Sequence, residues 1–228
     1  MQEITNWLEN FCRLLQASFG EQLLFIGLQG SYGRGEAGPD SDIDVVVIFR
    51  RLDAQLLEQY RLLTAALPKR EKLCGFVGGC DELRSWVKSD LFQLYYDTKP
   101  LYGSLDFLRP LAGREEARAL IHSGSCNLYH ACCHNYLHAR SAEALTALYK
   151  GAVFVAQAKH YFNSGGYVKK HGELVRVVAD EDKFILENAQ RLKKQNLFSE
   201  DAFAELSTQL LAWSRANILR YGGAEGQP

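Results

Sequence analysis

The chain has 228 residues, 47% of them hydrophobic, enough for one large domain or two small ones around a sizeable core. Its 26 basic residues face 27 acidic ones, so the molecule as a whole has almost no net charge with which to attract nucleic acid or an anionic membrane. No apolar stretch approaches the roughly 20 residues of a membrane helix, and the start MQEITNWLENF lacks the basic-then-apolar layout of a signal peptide, which together point to a cytoplasmic protein.

In chain order, the first apolar residues, Trp7, Leu8, Phe11, Leu14 and Leu15, recur at helical spacing and predict a helix over 4–18, stopped by Gly20. LLFIGLQG reads as a buried strand ending at Gly30, followed by a short turn or helix from Ser31 to Gly38 and a second strand over Ile43 to Phe49. Residues 53–67 are helical in pattern, LCGFVGG is a strand weakened by its glycines, DELRSW is a short helix, and DLFQLYYD suits either strand or helix. Pro110 and Gly113 then break the pattern. Everything beyond reads as helices, over 114–139, 142–163, 167–178, 180–195 and 199–221, before a frayed tail GGAEGQP. The expected fold is therefore α+β: a mixed β-sheet domain over 1–110, then an all-α helical bundle domain over 111–228, with the cleft between them as the site.

The chemistry-bearing stretch is GSYGRGEAGPDSDIDVVVIF, from Gly30 to Phe49. Side chains alternate across a strand, so Asp42 and Asp44 share a face while Ile43 points away. Two adjacent carboxylates repel unless something neutralises them, and a hard cation such as Mg²⁺ with oxygen ligands is the usual answer. Upstream, Gly30 and Ser31 follow directly on a strand, where small residues let phosphate oxygens approach backbone N–H groups and a hydroxyl. Arg34 is a candidate counter-charge for a triphosphate, the alternative being a pair with Glu36 or solvent. Ser41 is grouped with the nucleotide-binding residues; its plain reading, with Asp40, is a loop cap.

This stretch resembles the signature of the DNA polymerase β-like nucleotidyltransferase superfamily, in the small stand-alone branch that includes antibiotic nucleotidyltransferases and the nucleotidyltransferase partners of helical toxins. The motif covers about twenty residues, and the order of elements extends a vaguer likeness over most of the chain. The resemblance implies that Gly30 and Ser31 touch the β and γ phosphates of a nucleoside triphosphate and that Asp42 and Asp44 hold two Mg²⁺ ions around the α-phosphate. It implies transfer of a nucleoside monophosphate, AMP from ATP, to a hydroxyl of a small molecule or protein, with release of pyrophosphate. A non-catalytic nucleotide-binding module, regulatory or antitoxin-like, is the alternative.

Active members of the family add a third carboxylate from a later strand. The strand-like CGFVGG carries no acid, and among Asp81, Glu82, Asp90 and Asp97 the choice falls on Asp90, which precedes an apolar run as Asp42 does; a helix cap is its plain reading. In the helical half Cys126, His130, His134 and His138 are each four apart along one helix face. Such a stripe suits zinc, a helix face with satisfied imidazoles, or a wall of the active cleft. Kanamycin-type enzymes carry a general base on a second-domain helix, which makes His130 the candidate base here, although theirs is a carboxylate. Lys150, Lys159, Lys169 and Lys170 are candidates to reach a triphosphate, against a solvated helix face, and Tyr95, Tyr96 and Tyr102 to stack on a ring, against packing. The six cysteines form no C-x-x-C pair and read as reduced thiols. The partners expected are a nucleoside triphosphate and an unidentified hydroxyl acceptor, with neither membrane nor nucleic acid; the oligomeric state stays open, a homodimer included.

Overall fold

The computed structural model describes residues 2–193 and 199–223. The chain divides into two compact units, Met1–Val87 with Gln93–Pro110, and Lys88–Phe92 with Leu111–Pro228. The expected ends of the fourth helical segment, at 194–195, and of the frayed tail, at 224–228, lie outside the described residues.

The first unit opens with α1 (Gln2–Phe19), whose Trp7, Phe11, Leu15 and Phe19 recur every fourth residue and are all buried. Trp7 stacks on Phe11 with ring centroids 5.2 Å apart and donates its indole N–H to the Pro68 carbonyl. This stripe covers one face of a four-stranded sheet of β1 (Leu23–Leu28), β2 (Ile43–Phe49), β3 (Leu73–Gly79) and β4 (Lys99–Tyr102), in the order β3-β2-β1-β4. β2 runs parallel to β3 and antiparallel to β1, and β1 is antiparallel to β4, so the sheet is mixed. Ile43, Val45, Val47 and Phe49 enter the cluster with α1, joined by Tyr60 of α3 (Ala54–Ala65). Each fully buried side chain of that size contributes roughly 1.5–3 kcal/mol of transfer free energy. α2 (Gly30–Arg34) sits between β1 and β2, and α4 (Cys80–Arg84) follows β3.

The ambiguous segment DLFQLYYD is helical, within α5 (Lys88–Asp97), whose first residues through Phe92 group with the second unit and whose remainder groups with the first. The strand β4 was not expected: KPLY is short and contains Pro100, which a sheet tolerates at an edge. The glycines of β3 have a steric cause. Gly75 has φ +129°, and a Cβ there would lie 1.9 Å from the Val45 carbonyl oxygen, so glycine lets β3 approach β2.

The described elements of the second unit are all helices: α6 (Arg114–His134), continued by a π turn over Asn135–Ala139, then α7 (Ala142–Ser164), α8 (His171–Leu174), α9 (Asp180–Leu192) and α10 (Glu200–Tyr221). Ser141 and Ser199 cap α7 and α10 by accepting the Ala144 and Ala202 N–H groups. The helix expected over 167–178 is only the four-residue α8. Small residues bring α6 and α7 together: a Cβ on Gly124 would lie 2.8 Å from a Val155 methyl.

A charge network crosses this unit's interior. Lys159 Nζ lies 2.6 Å from Asp182 Oδ1, which also accepts the Trp213 indole N–H at 2.7 Å, and the Lys159 and Asp182 side chains are 3% and 4% exposed. Lys159, expected to serve triphosphate or a solvated face, does neither; it is buried in this pair. Removing one partner of such a pair strands the other charge. Lys159→Met is expected to destabilise the protein by about 3–5 kcal/mol, read from its urea denaturation midpoint. A midpoint within experimental error of the wild type would refute the network's importance.

Candidate nucleotide site

The site starts from β2. Its odd-numbered residues enter the cluster with α1, so Asp44 falls on the opposite face with Val46 and Ile48. Asp42 stands one residue before the strand; it is exposed and Asp44 is half-buried.

The turn after β1 is built against that carboxylate. The Gln29 N–H donates to the Asp44 carbonyl at 2.7 Å, which carries the β1–β2 pairing to its end. Gly30 follows with φ +61°, and a Cβ on it would lie 1.8 Å from Asp44 Oδ2. The carboxylate thus rests on bare backbone where another residue would carry a side chain. α2 begins here, so the N–H groups of Gly30 and Ser31 are in a first turn, where no carbonyl of the helix accepts them. The result is a half-buried carboxylate and a serine turn in direct contact.

Arg34 closes this turn from within. Its guanidinium is 8% exposed, with Nη1 3.2 Å from Asp97 Oδ2 and Nε 3.3 Å from Glu36 Oε2, so its partners are protein carboxylates. Ser41 Oγ accepts the Gly38 N–H at 2.9 Å and closes the loop that leads into β2, and Lys72 Nζ holds the same loop through the Pro39 carbonyl at 2.7 Å.

Register decides which residues flank Asp44. On β3 its partner is Cys74, an exposed thiol, and β3 carries no acid. Asp81 and Glu82 follow the far end of β3, whose last residue Gly79 pairs with Phe49, five residues along β2 from Asp44 and about 17 Å away at a strand's rise. Asp97 is committed to Arg34. Asp90 is an exposed residue in the first turn of α5, 3.4 Å from the Ser89 hydroxyl, and groups with the second unit. The Cys74 position was missed in the sequence because it depends on strand register rather than on any local pattern.

In the second unit, Cys126 is half-buried with its sulfur 3.7 Å from His122 Nε2, whereas His130, His134 and His138 are exposed. The His134 and His138 rings stand 4.8 Å apart. Among the described residues no group of three or more His, Cys, Asp or Glu side chains is placed to hold a metal ion. Burial pushes the neighbouring Cys132 thiol up to about 11, so it stays protonated against the Ser207 carbonyl. Lys170 pairs with Glu173 at 2.9 Å, Tyr95 meets Tyr96 edge-on at 5.1 Å, and Tyr102 packs on the core of the first unit.

Asp42 and Asp44 supply hard carboxylate oxygens, the donor type magnesium takes. Magnesium is held by one or two protein carboxylates when substrate phosphates and water complete its octahedron, so this pair fits such an ion without a closed protein cage.

Comparison with known proteins finds similarities in both sequence and fold. The family model for a nucleotidyltransferase domain matches residues 8–99, from α1 to the start of β4. A candidate protein adenylyltransferase of Methanocaldococcus jannaschii is 35% identical over 60 residues, which are 26% of this chain and 41% of that protein. The match thus spans about two-fifths of the relative's length. The fold is shared with the spectinomycin adenyltransferase AAD(9) of Enterococcus faecialis, solved with ATP and spectinomycin: 92% of this chain and 99% of that one superpose with a TM-score of 0.54 at 16% identity. A toxin–antitoxin structure with AMP-PNP aligns over 46% of this chain and 79% of its own at 25% identity, with a TM-score of 0.33, too weak to argue from. Residues 8–99 are thus similar to a nucleotidyltransferase domain, over the stretch that carries the Gly30 turn, Asp42 and Asp44.

The Gly30 contact makes a specific prediction. Gly30→Ala must both adopt a left-handed backbone, at a cost of about 1–2 kcal/mol, and displace the Asp44 carboxylate. It is expected to weaken Mg·ATP binding at least about tenfold, a loss of some 1.4 kcal/mol, measured with a fluorescent ATP analogue, while circular dichroism stays unchanged. Wild-type affinity would show that the contact does not shape the site.

Proposed function

We propose that the protein is a magnesium-dependent nucleotidyltransferase that moves a nucleoside monophosphate, AMP from ATP, onto a hydroxyl of a small molecule or protein and releases pyrophosphate. The observation that carries this reading is the Asp44 carboxylate lying directly on the Gly30 backbone at the mouth of the serine turn. The first-turn N–H groups and the Ser31 hydroxyl donate to phosphate oxygens, which orients the triphosphate and fixes the direction in which pyrophosphate leaves. The absence of a side chain at Gly30 lets those oxygens approach both the donors and the carboxylates. Arg34, held by Asp97 and Glu36, keeps the turn in shape rather than meeting substrate. Magnesium ions held by Asp42 and Asp44 would supply neutralisation of the triphosphate and of the leaving pyrophosphate. An adenylyl donor is favoured by the relatives, one a candidate protein adenylyltransferase and one a spectinomycin adenyltransferase. They also define the first acceptors to test: the protein itself, other proteins, and spectinomycin.

One observation favours a second reading. Cys74 stands beside Asp44 on β3, where a third carboxylate would have to come from that strand. A thiol is a poor ligand for a hard cation. On this reading the protein binds nucleotide as a regulatory, antitoxin-like module and does not turn it over.

Three variants separate the two. Asp42→Asn and Asp44→Asn are each expected to lower transfer of label from α-labelled ATP by at least about 100-fold with the fold intact by circular dichroism. Unchanged transfer would refute the catalytic assignment. Cys74→Asp supplies the missing acid. If the wild type binds Mg·ATP but transfers no label, and only Cys74→Asp does, the second reading replaces the first.

A further inference from the structure

The second unit contains a cavity of about 520 Å³ formed by α7, α9 and α10, a volume suited to a small organic ligand. All its lining residues belong to that unit. We infer that this cavity is a binding site for a small organic anion, an aromatic or otherwise apolar carboxylate, independent of the nucleotide site.

The walls divide into two parts. Phe184 and the Trp213 indole supply flat apolar surface, the lining that gives ligand pockets most of their affinity. Opposite in character are Lys159 and Arg220, whose Nζ and Nη1 converge on a single oxygen, Glu181 Oε1, at 3.2 Å and 3.4 Å. Two cations aimed at one oxygen position are what a ligand carboxylate needs. Glu181 holds that position loosely: its side chain is 56% exposed and free to swing into solvent, whereas Asp182 neutralises Lys159 from behind and is buried.

Hydrogen-bonding capacity points the same way. Asn217 lines the cavity and is 2% exposed, and its Nδ2 donor has no hydrogen-bond partner among the described residues. The Trp213 indole N–H is already given to Asp182. The polar wall therefore offers donors and asks for acceptor oxygens, which a carboxylate brings and an ammonium does not. A bound anion takes the place of Glu181 between the two cations while its apolar body lies on Trp213 and Phe184.

The test is isothermal titration calorimetry of the full chain with three probes of one shape: naphthoate, naphthamide and naphthylmethylammonium. Naphthoate is expected to bind with one-to-one stoichiometry, at least about tenfold more tightly than the neutral amide, the difference one charge-assisted hydrogen bond makes. Arg220→Gln should remove that preference. Ala216→Trp, an exposed α10 position at the cavity wall, should fill the space and abolish binding with an unchanged thermal melt. Absence of saturable naphthoate binding overturns the proposal. So does an amide or ammonium that binds as tightly, or an Ala216→Trp protein that binds like the wild type.

Discussion

A carboxylate resting on bare backbone is the constraint around which the first unit is arranged. Asp44 Oδ2 occupies the space a Cβ on Gly30 would take, and the left-handed φ of Gly30 is tolerable for the same reason, the absence of a side chain. The turn can then leave β1 and enter α2 without lifting away from β2. Around it the fold holds each piece in place by different means. The odd residues of β2 fix the strand in the core beneath α1. The Gln29 to Asp44 backbone bond fixes the end of β1. The buried Arg34 to Asp97 pair ties the far side of the turn to the end of α5. β2 is thus held in place because its apolar half is packed, and its polar end inherits that constraint.

What was legible in the sequence was local. The alternation of Ile43, Asp44 and Val45 located β2 and put Asp44 on the face away from the core, since a period of two needs no knowledge of neighbours. The α1 stripe is an equally local signal. What was not legible depends on distant partners. β4 carries a proline and only four residues, and it exists because β1 has an edge to pair. LCGFVGG was legible as a strand weakened by its glycines, but the reason for them was not: Gly75 is what allows β3 to approach Val45. Arg34 beside a glycine turn looks the same in sequence whether it meets a phosphate or Asp97, 63 residues later. Asp90 preceding an apolar run resembles Asp42, but a first-turn carboxylate on α5 produces that pattern as readily as the start of a strand does.

The second unit shows the same limit with charge. Lys159 falls in a helix whose other lysine, Lys150, is exposed, and nothing nearby in the sequence marks it for burial. Its partner Asp182 opens α9, and Trp213 supplies the third member from α10. Three helices are therefore registered by one carboxylate oxygen. Such a pair is costly to desolvate and gains little over an apolar packing of equal volume. Its consequence is polar specificity in an otherwise apolar interior, and the same lysine forms a wall of the cavity where that specificity is accessible.

The neighbour of Asp44 on β3 bears on how the nucleotide site works. A third hard ligand beside Asp44 would let the protein hold divalent cations before substrate arrives. Cys74 offers sulfur, which a small hard cation such as magnesium accepts poorly. Under the proposed function, with two carboxylates from the chain, the remaining coordination would come from water and from phosphate oxygens. Cation and triphosphate would then bind as one unit, each completing the other's site, with the serine turn as the part that recognises the unit. That dependence would give the geometry at Gly30 its weight, because displacing Asp44 there would remove one of the two proposed carboxylate ligands.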